Sequence, residues 1–204
     1  MHRAGAIILL LLVGLSPLFA QEDSDDPSVE IDWDDYVSDL YTRGDQTFIL
    51  SLGVALPVVF LNNGDVIDHK FTPPVGGTGS LSYNYYFSSN LFAGAEIRGM
   101  FLFTISGGTM FSPQVGVRAG YQFNVWRLEF PLALSLGLAW HTYLSQAYCG
   151  LYIMGSAAAF FRVNPEWSFG LTINWGWLPE WPENKAENID GNILDIMISA
   201  RYHF

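Results

Sequence analysis

The stretch ISARYHF, Ile198–Phe204, decides how the chain folds. Reading back from Phe204, every second residue is Tyr202, Ala200, Ile198, Ile196 and Leu194, while His203, Arg201, Ser199, Met197 and Asp195 stand between them. One side is apolar and the other mostly polar. A period of two is the signature of a strand with two different faces. It runs here for about twice the usual five or six residues of a globular strand. The question it raises is which face meets water.

Composition narrows the answer. Half of the 204 residues are apolar and 16% aromatic, but only 14% are charged, against roughly a quarter in ordinary soluble domains. The only lysines are Lys70 and Lys185, far too few to coat the outside of a soluble barrel. The net charge of −11 is concentrated in one place, since residues 21–45 hold ten acids and a single arginine. No basic patch exists, so nucleic acid is not an expected partner. A single cysteine, Cys149, excludes an internal disulfide framework.

The first twenty residues, MHRAGAIILLLLVGLSPLFA, follow the charged, apolar, small order of a secretory signal, with cleavage expected after Ala20. Residues 21–45 then form an acidic leader, poor in packing residues and expected to be partly disordered on the periplasmic side. Within it Tyr36, Val37, Leu40 and Tyr41 suit one short amphipathic turn. Arg43-Gly44-Asp45 spells an integrin-binding tripeptide, a weak pointer to adhesion.

From Gln46 onward the two-faced pattern returns in eight segments, near 46–59, 76–87, 91–103, 112–124, 127–140, 149–162, 167–177 and 191–204. Leu128, Phe130, Leu132, Leu134, Leu136, Leu138 and Trp140, for example, alternate with Glu129, Pro131, Ala133, Ser135, Gly137 and His141's face. Tight turns at Ser88–Asn90, Asn124–Trp126 and Val163–Glu166 alternate with longer loops at Asn62–Val75, Thr104–Phe111, His141–Tyr148 and Leu178–Asp190. Every second strand closes on a phenylalanine, at Phe87, Phe123, Phe161 and Phe204, so the opening stretch is the fourth copy of a repeated strand end. The apolar face carries large aliphatics mid-strand and aromatics at both ends. The other face is mainly Ser, Gly, Ala and Asn, which fill a narrow interior well. This is a lipid-facing band between aromatic girdles, and closure into a cylinder satisfies the backbone bonds that hydrocarbon leaves unpaired. The expected fold is all-β: an eight-stranded antiparallel up-and-down transmembrane β-barrel over residues 46–204.

On strand count, loop asymmetry and the terminal Tyr202-His203-Phe204, the chain resembles the small eight-stranded outer-membrane barrels, the OmpA, OmpX and OmpW-like proteins, with the OmpW-like group favoured. The resemblance implies outer-membrane lipids as surroundings, both termini in the periplasm, and Tyr202 and Phe204 as a C-terminal signal read by the barrel-assembly machinery. No peptidoglycan-binding domain of the OmpA kind is expected.

Function must then come from the interior and the loops. Glu96, Arg98, Arg118, Glu129, Asp195 and Arg201 are assigned inward as a polar network, with Glu96 and Arg118 at similar depth and Glu129 near them. The expectation is a salt-bridged plug or a narrow path for a small-molecule solute, not a wide pore. Pro131 donates no ladder bond and marks a candidate weak point through which an OmpW-like barrel would pass a small apolar molecule. A lipid-modifying enzyme would need a nucleophile with a base; His141 with Ser145 in the third loop, His69 in the first, and Glu180 or Asp190 in the fourth are the residues to inspect. No catalytic, cofactor or metal site is assigned, and the expectation is not an enzyme.

Overall fold

A computed structural model describes residues 41–62, 65–67, 75–103, 109–143, 146–179 and 189–204. The expected signal at 1–20 and most of the leader lie outside these. Every regular element described is a strand: β1 (Gln46–Asn62), β2 (Asp65–Ile67), β3 (Gly76–Tyr86), β4 (Leu91–Phe103), β5 (Thr109–Val125), β6 (Leu128–Tyr143), β7 (Gln146–Arg162), β8 (Trp167–Pro179) and β9 (Ile189–His203). Each long strand pairs antiparallel with the next, and β1 pairs with both β3 and β9. The eight long strands therefore close on themselves, while β2 is a short return against the end of β1. The closing seam runs from Thr47↔His203 to Asn62↔Ile189, with one irregularity between Pro57 and Val59, where proline has no N–H to give the ladder.

The parity read from the sequence sets the two faces. Leu52, Ile97, Val117, Leu134 and Ile198 stand on the outside at 61–71% exposure. Aromatic side chains flank them: Phe87, Phe123, Phe161 and Phe204 are exposed at the tight-turn end, and Phe101, Phe103, Trp140, Trp175 and Trp177 at the other. The inward residues are buried, and several are glycine because neighbouring strands come too close for a side chain. At Gly94 a Cβ would sit 1.7 Å from the Tyr83 carbonyl oxygen. At the tight-turn end, β5 and β6 join through Trp126 and Arg127, with Trp126 held at φ 53. The Arg127 guanidinium lies over the Phe161 ring at 4.8 Å and donates to the Val163 carbonyl at 2.7 Å.

Eight long strands and their order match the expectation, and β4 matches at both ends; several other ends do not. β5 begins at Thr109, β6 runs on to Tyr143 and β7 starts at Gln146. The stretch expected as a third loop, His141–Tyr148, is mostly ladder, with rungs from His141↔Tyr148 to Tyr143↔Gln146. Above the aromatic girdle the outer face no longer has to be apolar, so alternation fades from the sequence while backbone pairing continues. The first loop likewise contains β2.

The exterior makes a direct prediction. Leu134→Arg places a cation at mid-height of the apolar band and is expected to cost about 2–4 kcal/mol of folding stability in lipid vesicles. A urea titration followed by gel mobility measures it. A cost near zero would mean that water, not hydrocarbon, solvates this face.

Candidate functional site

The barrel interior is the candidate site, and it is built in layers. The floor, at the tight-turn end, centres on the fully buried Glu129 at the start of β6. Arg201 of β9 reaches across the lumen to its Oε2 at 2.7 Å, and Arg162 at the end of β7 stands 3.1 Å from its Oε1. Gln122 Nε2 donates to Oε2 at 3.3 Å. A fourth group comes from outside the sheet: the Tyr41 hydroxyl donates to Oε2 at 2.6 Å and accepts from Arg201 at 3.0 Å. Burial pushes this phenol well above its ordinary pKa, so it keeps the proton it donates. Aromatic rings line the cluster, with Arg201 over Phe160 at 3.9 Å and Tyr41 stacked on Tyr86 at 4.1 Å.

His203 completes the floor and its tautomer follows from its partners. Arg162 has only donors and gives one to Nδ1 at 2.6 Å. Nε2 therefore carries the hydrogen of the neutral ring and donates to Ser168 Oγ at 2.7 Å, leaving the Ser168 hydroxyl to face Glu129 Oε1 at 3.5 Å.

Above the floor the walls are hydroxyls. Ser199 bonds Ser51 at 2.7 Å and Thr172 at 2.8 Å, linking β1, β9 and β8. Ser51 and Thr172 border a cavity of about 20 Å³, whose lining also includes Asn84, Pro131, Ser156 and Asn174. That is room for about one water. Next comes a second charged layer. Glu96 accepts from Ser82 at 3.1 Å and from Arg118 at 3.3 Å. Arg98 lies 3.8 Å from Glu96, donates to Thr78 at 3.3 Å and pairs with Asp195 on the far wall. Two acids meet two bases. A second cavity, of about 10 Å³, lies against Arg98 and Asp195. An apolar collar, including Met100, Leu102, Tyr152, Met154, Leu178 and Ile193, is buried on the loop side of this layer.

All six charged residues expected inside are buried there, but as two layers and not one network. Glu129 is not near Glu96 and Arg118. Arg118 faces Ser135 on β6, whereas Glu129 faces Asn124 one rung from the turn. Six residues of strand at ~3.3 Å each separate the levels. Tyr41, Arg162 and His203 are members that the expected network lacked. Parity could have found Arg162, which shares the inward face of β7 with Ser156; Tyr41 stands in the sequence only as part of a short amphipathic turn, and no pattern there places it in the lumen. Pro131 lies on the cavity wall. Its ladder to β5 is continuous at Gln122↔Pro131, but the ladder to β7 skips from Glu129↔Phe160 to Leu132↔Ala157. Tyr202 and Phe204 pack edge to face at the tight-turn rim, with ring centroids 4.9 Å apart.

The residues inspected for enzymatic chemistry do not assemble. His141 is on strand β6, not in a loop, and its side chain is buried inside the barrel. Ser145, His69 and Glu180 lie outside the described residues, as does the side chain of Asp190. Among the described residues no three His, Cys, Asp or Glu side chains gather as metal ligands do. The tripeptide Arg43-Gly44-Asp45 is a tied turn: Asp45 accepts from the Thr42 N–H at 2.8 Å, and Gly44 N–H donates to the Tyr86 carbonyl at 3.0 Å.

A closed antiparallel cylinder of eight strands, apolar outside and charged inside, is the architecture of the small outer-membrane β-barrels. A protein-family model matches residues 21–202, and the chain belongs to the family that this model defines. An uncharacterized protein of Treponema pallidum (strain Nichols) is 30% identical over 129 residues, covering 63% of this chain and 59% of that protein. The chain thus aligns with about three fifths of that relative's length. Among solved structures, Neisserial surface protein A is similar over 79% of this chain and 97% of its own, with a TM-score of 0.58 at 10% identity. The outer membrane protein OprG of Pseudomonas aeruginosa is similar over 80% and 97%, with a TM-score of 0.51 at 10% identity. At such identities the likeness is one of fold.

Removing the carboxylate at the centre of the floor leaves two arginines without their shared partner. Glu129→Ala is expected to lower stability by about 3–5 kcal/mol, whereas Glu166→Ala, in an exposed turn, changes it little. Urea midpoints of the two variants against the parent barrel decide whether the floor cluster holds the fold.

Proposed function

We propose that this chain is an integral outer-membrane barrel with both termini periplasmic, and that its role is structural: a sealed polar core inside an apolar wall. The observation that carries the reading is the filled lumen. Among the described residues, two charged layers and an apolar collar pack the lumen around cavities of about 20 and 10 Å³, which are on the scale of single waters. The exposed aliphatic band supports the membrane placement, because a water-facing surface of this size and apolarity invites association. Outer-membrane lipids are its permanent partners, and Tyr202 and Phe204 are the residues offered to the assembly machinery. The tying of Arg43-Gly44-Asp45 into the floor weighs against adhesion through that tripeptide, and the burial of His141 weighs against a rim enzyme.

The test is solute efflux from liposomes carrying the refolded protein, with folding checked by heat-shifted gel mobility. A polar dye is expected to stay inside as well as it does in empty vesicles. Release of the dye by a correctly folded barrel would overturn the sealed reading.

One observation favours a second reading, in which the wall passes a small apolar solute sideways, as the OmpW-like resemblance implies. Pro131 interrupts the β6–β7 ladder where the larger cavity lies behind it, and a missing rung is where a closed sheet parts most easily. On that reading Pro131→Ala restores the rung and slows uptake of an apolar dye severalfold. Equal uptake by the parent and Pro131→Ala barrels would remove the sideways route and leave the sealed barrel alone.

A further inference from the structure

Tyr41 lies before the first strand, so no ladder bond of the barrel places it inside. Its position is set by a strap five residues long. The Tyr41 ring stacks on Tyr86, and its hydroxyl sits between Glu129 and Arg201. Gly44 N–H donates to the Tyr86 carbonyl at 3.0 Å, and Tyr86 N–H donates to the Asp45 carbonyl at 2.9 Å. Gly44 makes the reversal at φ 109, a conformation that costs other residues strain. The Asp45 carboxylate closes the turn by accepting from the N–H and the hydroxyl of Thr42.

We infer that residues 41–45 are a removable plug: Tyr41 closes the tight-turn end of the lumen, and its withdrawal admits water to the larger cavity while the barrel stays folded. The inference rests on the sealed-lumen reading above and names the part of the seal that can move. Three features separate this seal from the wall. Beyond the two backbone bonds of Gly44 and Asp45 to Tyr86, the strap supplies nothing to the closed sheet, whose ladders begin at Gln46. Its departure strands no buried charge, because Glu129 keeps Arg201, Arg162, Gln122 and Ser168, and Tyr86 keeps its bond to Gln122 at 2.6 Å. Among the described residues, the hydrogen bonds and ion pairs of the second charged layer run to Ser82, Thr78, Met154 and one another and not to the strap, so the upper half of the core does not depend on it. A segment held by one ring and a few bonds opens more cheaply than the strands around it.

The experiment reads water access from below. Cys149→Ser combined with Ser156→Cys leaves one thiol, on the wall of the larger cavity. The refolded full-length protein is treated with hydrogen peroxide, a probe close to water in size, and the rate of oxidation of the thiol to its sulfenic acid is followed. The parent thiol is expected to react slowly. Tyr41→Ala is expected to raise the rate about tenfold, the scale of losing one buried anchor from a local opening equilibrium. Tyr41→Phe, which keeps the stacked ring, stays near the parent rate. Gly44→Pro detaches the strap without touching the floor residues, since proline forbids φ 109 and has no N–H for Tyr86. It is expected to match Tyr41→Ala, and it carries the test if the alanine variant loses its heat-shifted mobility. Equal rates in the folded parent and folded strap variants would overturn the plug. The two readings fail separately: dye efflux by the parent strikes the sealed lumen, whereas the thiol comparison strikes only the strap.

Discussion

The seam between β1 and β9 is the constraint on which everything else depends. An open sheet of these strands would expose two unpaired edges and a face of large aliphatics, and no single solvent suits both. Hydrocarbon tolerates the face but not the edges, and water tolerates the edges but not the face. Rungs from Thr47↔His203 to Asn62↔Ile189 remove the edges. Once the cylinder exists, the outer band between the aromatic girdles is suited to lipid, and the polar face has nowhere to go but inward. The charges inside are thus a consequence of closure, and the closed sheet fixes how they can pair.

Those pairings in turn fix which cylinder forms. Arg201 and Glu129 belong to strands separated by β7 and β8, and Arg98 and Asp195 to strands separated by β3 and β1. Neither pair can form within one hairpin. A slip of one residue in β4, β5, β6, β7 or β9 would turn a buried arginine or carboxylate toward the lipid face, where it has no partner. The desolvation cost of two charged layers is offset only when every partner arrives, so the interior acts as a check on register across the whole sheet. This accounts for charge in a lumen that small apolar side chains could have filled.

Much of this was legible in the sequence, because a strand that faces lipid on one side and a lumen on the other must alternate without exception. Leu128 to Trp140 announces its two faces by parity alone, and parity placed Glu96, Arg98, Arg118, Asp195 and Arg201 inside. Depth was harder to read. The two-residue turn at Trp126–Arg127 makes Glu129 a floor residue, yet only the rung count from that turn distinguishes it from a partner of Arg118. The loop-end strand extensions left no trace, since beyond the girdle pairing no longer requires alternation. The place of Tyr41 in the lumen was invisible for another reason: its partners are Tyr86, Glu129 and Arg201, from three different strands, and a contact assembled only by closure has no local pattern to carry it.

The same logic separates what the barrel can change from what it cannot. Every long strand is held on both sides by ladders, and breaking one exposes backbone to hydrocarbon, so the wall is stiff except where rungs are missing beside Pro57, Pro113 and Pro131. The lumen end differs, because groups there face water when they open. The floor combines a charge cluster that satisfies itself with an aromatic contact supplied by the leader. A carboxylate with two arginines, an amide and a hydroxyl does not need the phenol to stay paired; the phenol fills space and excludes water. Rigidity therefore belongs to the wall and the charged layers, and freedom to move belongs to the chain segment that contributes no rung.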